Sequence, residues 1–531
     1  MSRRDYFLLG LFGFALVLIV SFFQTSPGYM DADYYLAGGI SLSKGLGFNE
    51  YILWNYLDDP SGIPHPSHAY WMPLASMLSA LGMVITGVTN FSSGRTLFIL
   101  IVSAIAPLTA RLSYSIYRLR EYALLAGIFA AIPAFYLAYL GTTDTFGLYM
   151  VLGCLWLLIA GDPGLSENLK LSLLGLVSGL MHLGRADGVV WLFLGFLYLV
   201  IGKSKGKFSV DLRATLSARA AFAAAALVGG YLVIMGPWML RNLSAFGSLL
   251  SPAGLSTLWL VHYDDLYAYP GDQITFARWL ASGAAAILRV RWNALSINLQ
   301  TAFAVQGAIF LTPLIIAGLW KARQHRAVII GLLYWLITLF IMTGIFPEVG
   351  WRGGFFHSGA AIQPLFWAAA PAGLAEFVRL GVQIRRWNWK QAWSFFRAGS
   401  ILLLAILTLI TAGRRLSEFG ATSDGWDQSA RNYTEIEAEL DRIGAAESDI
   451  VMVNNPPGYY IATGRPAISI PDGGVSTTLA VAERYGGKYL ILEPNHPRGM
   501  VDVYNRIEGD AWLQYIKTIG EAHIFRISAE Q

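Results

Sequence analysis

The chain has 531 residues, of which 55 % are hydrophobic and only 14 % charged, with a formal net charge of +4. A soluble chain carries about 25 % charged residues, so this composition excludes an ordinary soluble globular protein. The small net charge says nothing about nucleic acid; its distribution is what matters.

The apolar residues gather into long runs, and a spanning helix needs roughly 17–25 of them. The chain opens on Arg3 and Arg4, followed by an apolar run at 6–24. It lacks a small-residue cleavage site, so it reads as a retained first helix rather than a leader peptide. Further candidate spans lie at 95–116, 121–140, 145–160, 169–184, 187–202, 217–237, 301–320, 327–346, 356–377 and 397–413. Cys154 sits inside one of these runs, as a buried inert thiol; as the single cysteine it has no disulfide partner within the chain.

The shorter run at 73–89 decides the topology. Lys and Arg cluster at 118–120, at 203–219, at 321–326 and at 379–397. Cytoplasmic loops carry the excess of positive charge. All four clusters fall on the Arg3/Arg4 side only if 73–89 lies in the interface or re-enters. The pattern therefore predicts about eleven transmembrane helices in an all-α polytopic membrane domain over 1–413. The segments 25–94 and 238–300 become exterior loops. The polar tail, 414–531, alternates strand-like and helical patterns: helices at 431–443 and 475–486, strands at 449–453, 489–492 and 522–527. It reads as an extracytoplasmic soluble α/β domain.

The polar residues able to do chemistry fall on the exterior side. Asp31 and Asp33 follow the first helix in Tyr29-Met-Asp-Ala-Asp-Tyr-Tyr35. A carboxylate partly shielded from water there is a candidate general base. Further along come Pro64-His-Pro-Ser-His68, Tyr70-Trp-Met-Pro-Leu74, Gly141-Thr-Thr-Asp144, Gly184-Arg-Ala-Asp-Gly188 and Pro237-Trp-Met-Leu-Arg-Asn242. His262-Tyr-Asp-Asp265 could line an acceptor entrance. Asp187 reads as the ion-pair partner of Arg185.

This order of short motifs resembles the GT-C superfamily of membrane glycosyltransferases, nearest the branch of protein O-mannosyltransferases and the lipid A aminoarabinose transferase. The family pattern Asp-Glu-x-x-Tyr is matched by Asp31 and Tyr35, with Ala32 in place of the Glu and Asp33 as an extra acid. Met72-Pro73-Leu74 matches a juxtamembrane Pro-Pro-Leu in part, and Asp144 matches a second exterior Asp. The resemblance implies Asp31 as catalytic base, with Asp33 as the fallback and Asp144 as a further catalytic acid. It also implies a polyprenyl-phosphate sugar donor, whose phosphate needs cations at headgroup level. Arg241, Arg352 in Gly350-Trp-Arg-Gly-Gly-Phe-Phe-His357, Arg185 and His357 are the candidates, since a guanidinium fork grips two oxygens at once.

Some relatives bind a metal through an acidic residue where this chain has Tyr70-Trp71. No metal ligands are assigned on that ground, and a divalent metal is left open as a cofactor. The function expected is transfer of a sugar to a hydroxyl of a lipid, polysaccharide or protein acceptor at the outer face of the plasma (inner) membrane, with membrane lipid and no nucleic acid as partners. The alternatives are a transporter or flippase, which would carry ionisable residues at mid-membrane, and a non-catalytic membrane scaffold.

Overall fold

The structure is a computed structural model that describes residues 1–204, 207–210, 218–417, 425–507 and 512–528. Lys205 and Arg213 of the expected basic loop lie outside the described residues. The chain divides into two compact units. Unit 1 comprises Met1–Phe23, Thr96–Ser244 and Arg291–Leu416; unit 2 comprises Gln24–Arg95, Ala245–Val290 and Ser417–Gln531.

Unit 1 is helical and apolar almost all round, as lipid-embedded helices must be. Its first helix, Arg3–Ser21, starts at a capping box in which Ser2 and Asp5 satisfy each other's backbone N–H groups. Asp5 also pairs with Arg120 at 2.6 Å. The core is one continuous cluster that includes the buried rings of Trp156, Trp191 and Trp367. Small residues let helices approach closely. A Cβ on Gly318 would fall 2.0 Å from the Ala369 carbonyl oxygen, and one on Gly373 1.8 Å from that of Leu314. The Thr312–Lys321 and Gln363–Arg385 helices are thus in backbone contact.

Six helices among the described residues are long and apolar enough to cross a membrane, or seven if a pair bent by 42° at Pro133 counts as one span. This corrects the expectation of about eleven. The 145–160 run forms Phe146–Gly161, 16 residues and about 24 Å long at 1.5 Å per residue, short of a core about 30 Å thick. The 187–202 run gives only Val189–Val200. The 301–320 run is broken after a π-turn at Thr301–Gln306, where Ala308 and Ile309 take left-handed backbone angles. Glu167–Gly184 carries Glu167, Lys170 and His182 and is not apolar enough. The protein is a multi-pass membrane protein of fewer full-length spans than composition suggests.

Unit 2 is built on a six-stranded sheet whose strands are β1 (Ile52–Leu53), β2 (Ile450–Val453), β3 (Ala467–Ser469), β4 (Gly487–Leu492), β5 (Leu513–Ile519) and β6 (Ala522–Ile527). The order is β1-β3-β2-β4-β6-β5. The first four strands run parallel, and the β5–β6 hairpin closes the sheet antiparallel. Val451, Val453, Tyr489 and Ile491 face one core; Met452, Leu490 and Leu492 face the other. Burial on both faces is why these strands read as unbroken apolar runs. The helices Gln428–Arg442 and Val475–Tyr485 lie close to their expected positions. The edge strand β1 comes from the loop after the first helix, pairing Ile52 with Ala467. Ser469 Oγ donates to the Trp54 carbonyl at 2.5 Å. The tail therefore shares its compact unit with parts of both long loops. The 73–89 run forms Leu74–Thr86 in this unit, 13 residues and too short to span.

Candidate functional site

In unit 2 the helix Met30–Ser43 begins two residues after Gly28, with Asp31 and Asp33 in its first turn. Carboxylates there face the positive end of the helix dipole. The two acids have different surroundings. Asp31 is half-buried, whereas Asp33 is buried and accepts a hydrogen bond from Asn455 Nδ2 at 2.9 Å. Burial pushes the Asp33 carboxyl up to about 7, Asn455 opposes the shift, and the Asp31 charge adds to it. Tyr35, the matched tyrosine, is almost fully buried.

The two histidines of Pro64-His-Pro-Ser-His68 are engaged in the unit's own structure. His68 is buried between Ser67 Oγ at 2.7 Å and Ser76 Oγ at 3.1 Å. His65 Nε2 lies 3.0 Å from Glu50 Oε1. Burial alone would lower the His65 pKa, but the neighbouring Glu50 carboxylate outweighs it and the net shift is upward. Around this pair lies a small pocket walled by Tyr34, Trp54, Asp58, Tyr70 and Trp71. Asp265 binds the backbone N–H groups of Val261 and His262 at 2.7 and 2.9 Å and the Arg278 guanidinium at 2.6 Å. That segment is a braced loop.

In unit 1, Asp144 is buried at the turn before the Phe146–Gly161 helix. Its Oδ1 accepts from the Thr145 N–H and hydroxyl at 2.5 and 3.1 Å. Its Oδ2 lies 3.0 Å from His357 Nε2, and His357 Nδ1 lies 3.0 Å from the Gly353 carbonyl. Both partners carry acceptor oxygens, so the ring is held between them from its two nitrogens. The His357 ring stacks on Phe146 at 4.0 Å. The backbone makes this geometry at the π-turn Gly350–Gly354, where Gly353 has φ +124°; π-turns cluster at functional sites.

The arginines occupy three settings in the same unit. Arg185 pairs with Asp187 at 3.0 Å, the partnership the sequence suggests. Arg241 lies over the Trp238 ring at 4.8 Å and donates to Asn242 Oδ1 at 3.2 Å. Arg352 lies over Trp351 at 4.3 Å, inside the π-turn. Of the expected site residues in unit 1, the structure brings Asp144 and His357 into direct contact. Nothing in the local sequence around either residue announces that pairing. Sequence reasoning also missed Asn455, which donates to Asp33, and the Tyr433–Glu493 pair of the same unit. The one signal was the turn-like Asn454-Asn-Pro-Pro457.

No family model matches the chain, and no curated protein matches it in sequence. Solved structures do. The oligosaccharyltransferase of Archaeoglobus fulgidus, solved in complex with Zn and sulfate, matches 96 % of this chain and 71 % of its own with a TM-score of 0.56 at 13 % identity. ArnT from Cupriavidus metallidurans, bound to undecaprenyl phosphate, matches 99 % of this chain and 98 % of its own at 11 % identity, TM-score 0.51. The mycobacterial arabinofuranosyltransferase AftD matches 100 % of this chain but 42 % of its own, at 14 % identity and TM-score 0.52. All three are GT-C superfamily glycosyltransferases, and ArnT is an aminoarabinose transferase. At these identities the likeness is one of fold, and the chain has the GT-C fold.

Proposed function

We propose that the protein is a glycosyltransferase that moves a sugar from a polyprenyl-phosphate donor to an acceptor hydroxyl on the non-cytoplasmic face of the plasma membrane. The observation that carries this reading is the GT-C fold over nearly the whole chain, with Asp31 at the position that follows the first helix. Undecaprenyl phosphate bound to ArnT and dolichol phosphate bound to the archaeal enzyme AglB support a lipid-phosphate donor.

In the proposed reaction Asp31 takes the proton of the acceptor hydroxyl. The hydroxyl oxygen bonds to the anomeric carbon as the bond to the phosphate oxygen breaks, with inversion. Arg352 or Arg241 holds the departing lipid phosphate, and Arg185 is the third candidate. Binding that group more tightly as its charge develops lowers the barrier. For a divalent cation, Asp144 and His357, in contact with each other in unit 1, are groups of suitable type. These two fill half of a four-coordinate shell. A bound cation would supply neutralisation of phosphate charge.

Asp31→Asn keeps the shape of the side chain and removes the basic oxygen. Turnover is expected to fall roughly 10²–10⁴-fold, with extracted yield and melting temperature unchanged. A folded Asp31→Asn protein with near-normal turnover sinks the assignment of the base.

A further inference from the structure

Parallel sheets bind ligands in the crevice outside the carboxyl ends of their strands, where the chain order reverses. In unit 2 that point is the carboxyl end of β2. From β2 the chain passes to β3 on one side, and from β3 it crosses to β4 on the other. Three observations describe what fills this crevice. Asn455, just after β2, caps the Pro456–Thr463 helix: its Oδ1 accepts the Gly458 N–H at 3.1 Å, and its Nδ2 donates to Asp33 Oδ2 at 2.9 Å. A Cβ on Gly458 would lie 2.9 Å from the same Asp33 oxygen, so the carboxyl rests against the first turn of that helix. At the end of β4, Glu493 is bound through both oxygens by the Tyr433 hydroxyl at 3.2 Å, and Asn454 donates to Asn495 at 2.7 Å.

We infer that the ligand crevice of the α/β domain is occupied by the chain itself: the Asp33 carboxyl is its built-in occupant, and Asn455 is a positioning residue that fixes the helix turn carrying Asp31. The tail then acts as a clamp on the catalytic helix, by way of an amide–carboxyl bond spanning 422 residues of sequence. In this proposal Asp33 acts by position, since its Oδ2 accepts from Asn455 against the helix end. The clamp is read from geometry. Its catalytic consequence rests on the proposed role of Asp31.

The test uses full-length detergent-solubilised protein and amide hydrogen exchange over residues 30–43. Asn455→Leu removes both the cap and the donor. It is expected to raise exchange of the first turn about tenfold, the effect of losing one buried hydrogen bond, while β2 and β4 stay protected. The exchanged pair, Asp33→Asn with Asn455→Asp, reverses donor and acceptor and keeps a good N-cap; it restores slow exchange. With an undecaprenyl-phosphate sugar as donor, Asn455→Leu lowers kcat and leaves the donor KM unchanged, and the exchanged pair recovers kcat. Unchanged exchange in Asn455→Leu, or equally fast exchange in the exchanged pair, overturns the clamp. A wild-type protein without transfer activity sinks the transferase reading and leaves the exchange result standing.

Discussion

Asp144 in unit 1 and Asp33 in unit 2 are both buried aspartates close to helix ends, but their partners differ. Asp144 faces an imidazole and a backbone N–H. Asp33 faces a neutral amide, with a second carboxylate, Asp31, nearby. A buried carboxylate opposite a cation-forming group depends on that group, and removing one partner leaves the other stranded. A buried carboxyl held by an amide tolerates protonation or an amide in its place. The same residue type is thus tied to a ring nitrogen in one unit and to a side-chain amide in the other.

The comparison breaks first on substitution to asparagine. Asp144→Asn leaves His357 against an amide and is expected to destabilise unit 1 by about 3 kcal/mol, read as a lower melting temperature. Asp33→Asn keeps an acceptor for Asn455 and removes a desolvated charge, so its melting temperature at pH 8 is expected to equal or exceed that of the wild type. Equal losses in the two variants would erase the distinction.

A smaller effect comes from pH. Burial holds Asp33 and Glu493 each at about 7, against ordinary carboxyl values near 4. Between about pH 4 and about pH 7 the folded protein retains protons that the unfolded chain has released. Their contribution is fully present below pH 4, falls as pH rises through 7, and is gone above it. The groups facing this pair are Asp31, Asn455 and Tyr433. Melting temperature should therefore decline across this window, and the double variant Asp33→Asn with Glu493→Gln should flatten the decline. An unchanged slope in the double variant would place the titrating groups elsewhere.

Much of the fold was legible because its physics is local. The apolar runs announced a membrane protein. The strands Ile450–Val453 and Gly487–Leu492 were visible as continuous apolar segments because both sheet faces are covered. Asp31 stood out because polar residues at a helix exit are conspicuous in an apolar chain. Features that depend on distant partners stayed hidden. β1 is two residues long and exists only through its pairing with Ala467 and Ile468. His357 meets an aspartate 213 positions away. The number of full-length spans was overstated because composition does not show where the backbone leaves the α-helix, as it does at Ala308 and Ile309.

The most direct measurement of the central claim is turnover by the purified wild-type protein. It would be incubated with a panel of labelled polyprenyl-phosphate sugars and with candidate lipid, polysaccharide and peptide acceptors. Release of free polyprenyl phosphate, matched by label in an acceptor, is the expected result for at least one donor. Movement of an intact donor across a vesicle membrane without cleavage of the sugar–phosphate bond, or no consumption of any donor by folded protein, would contradict it.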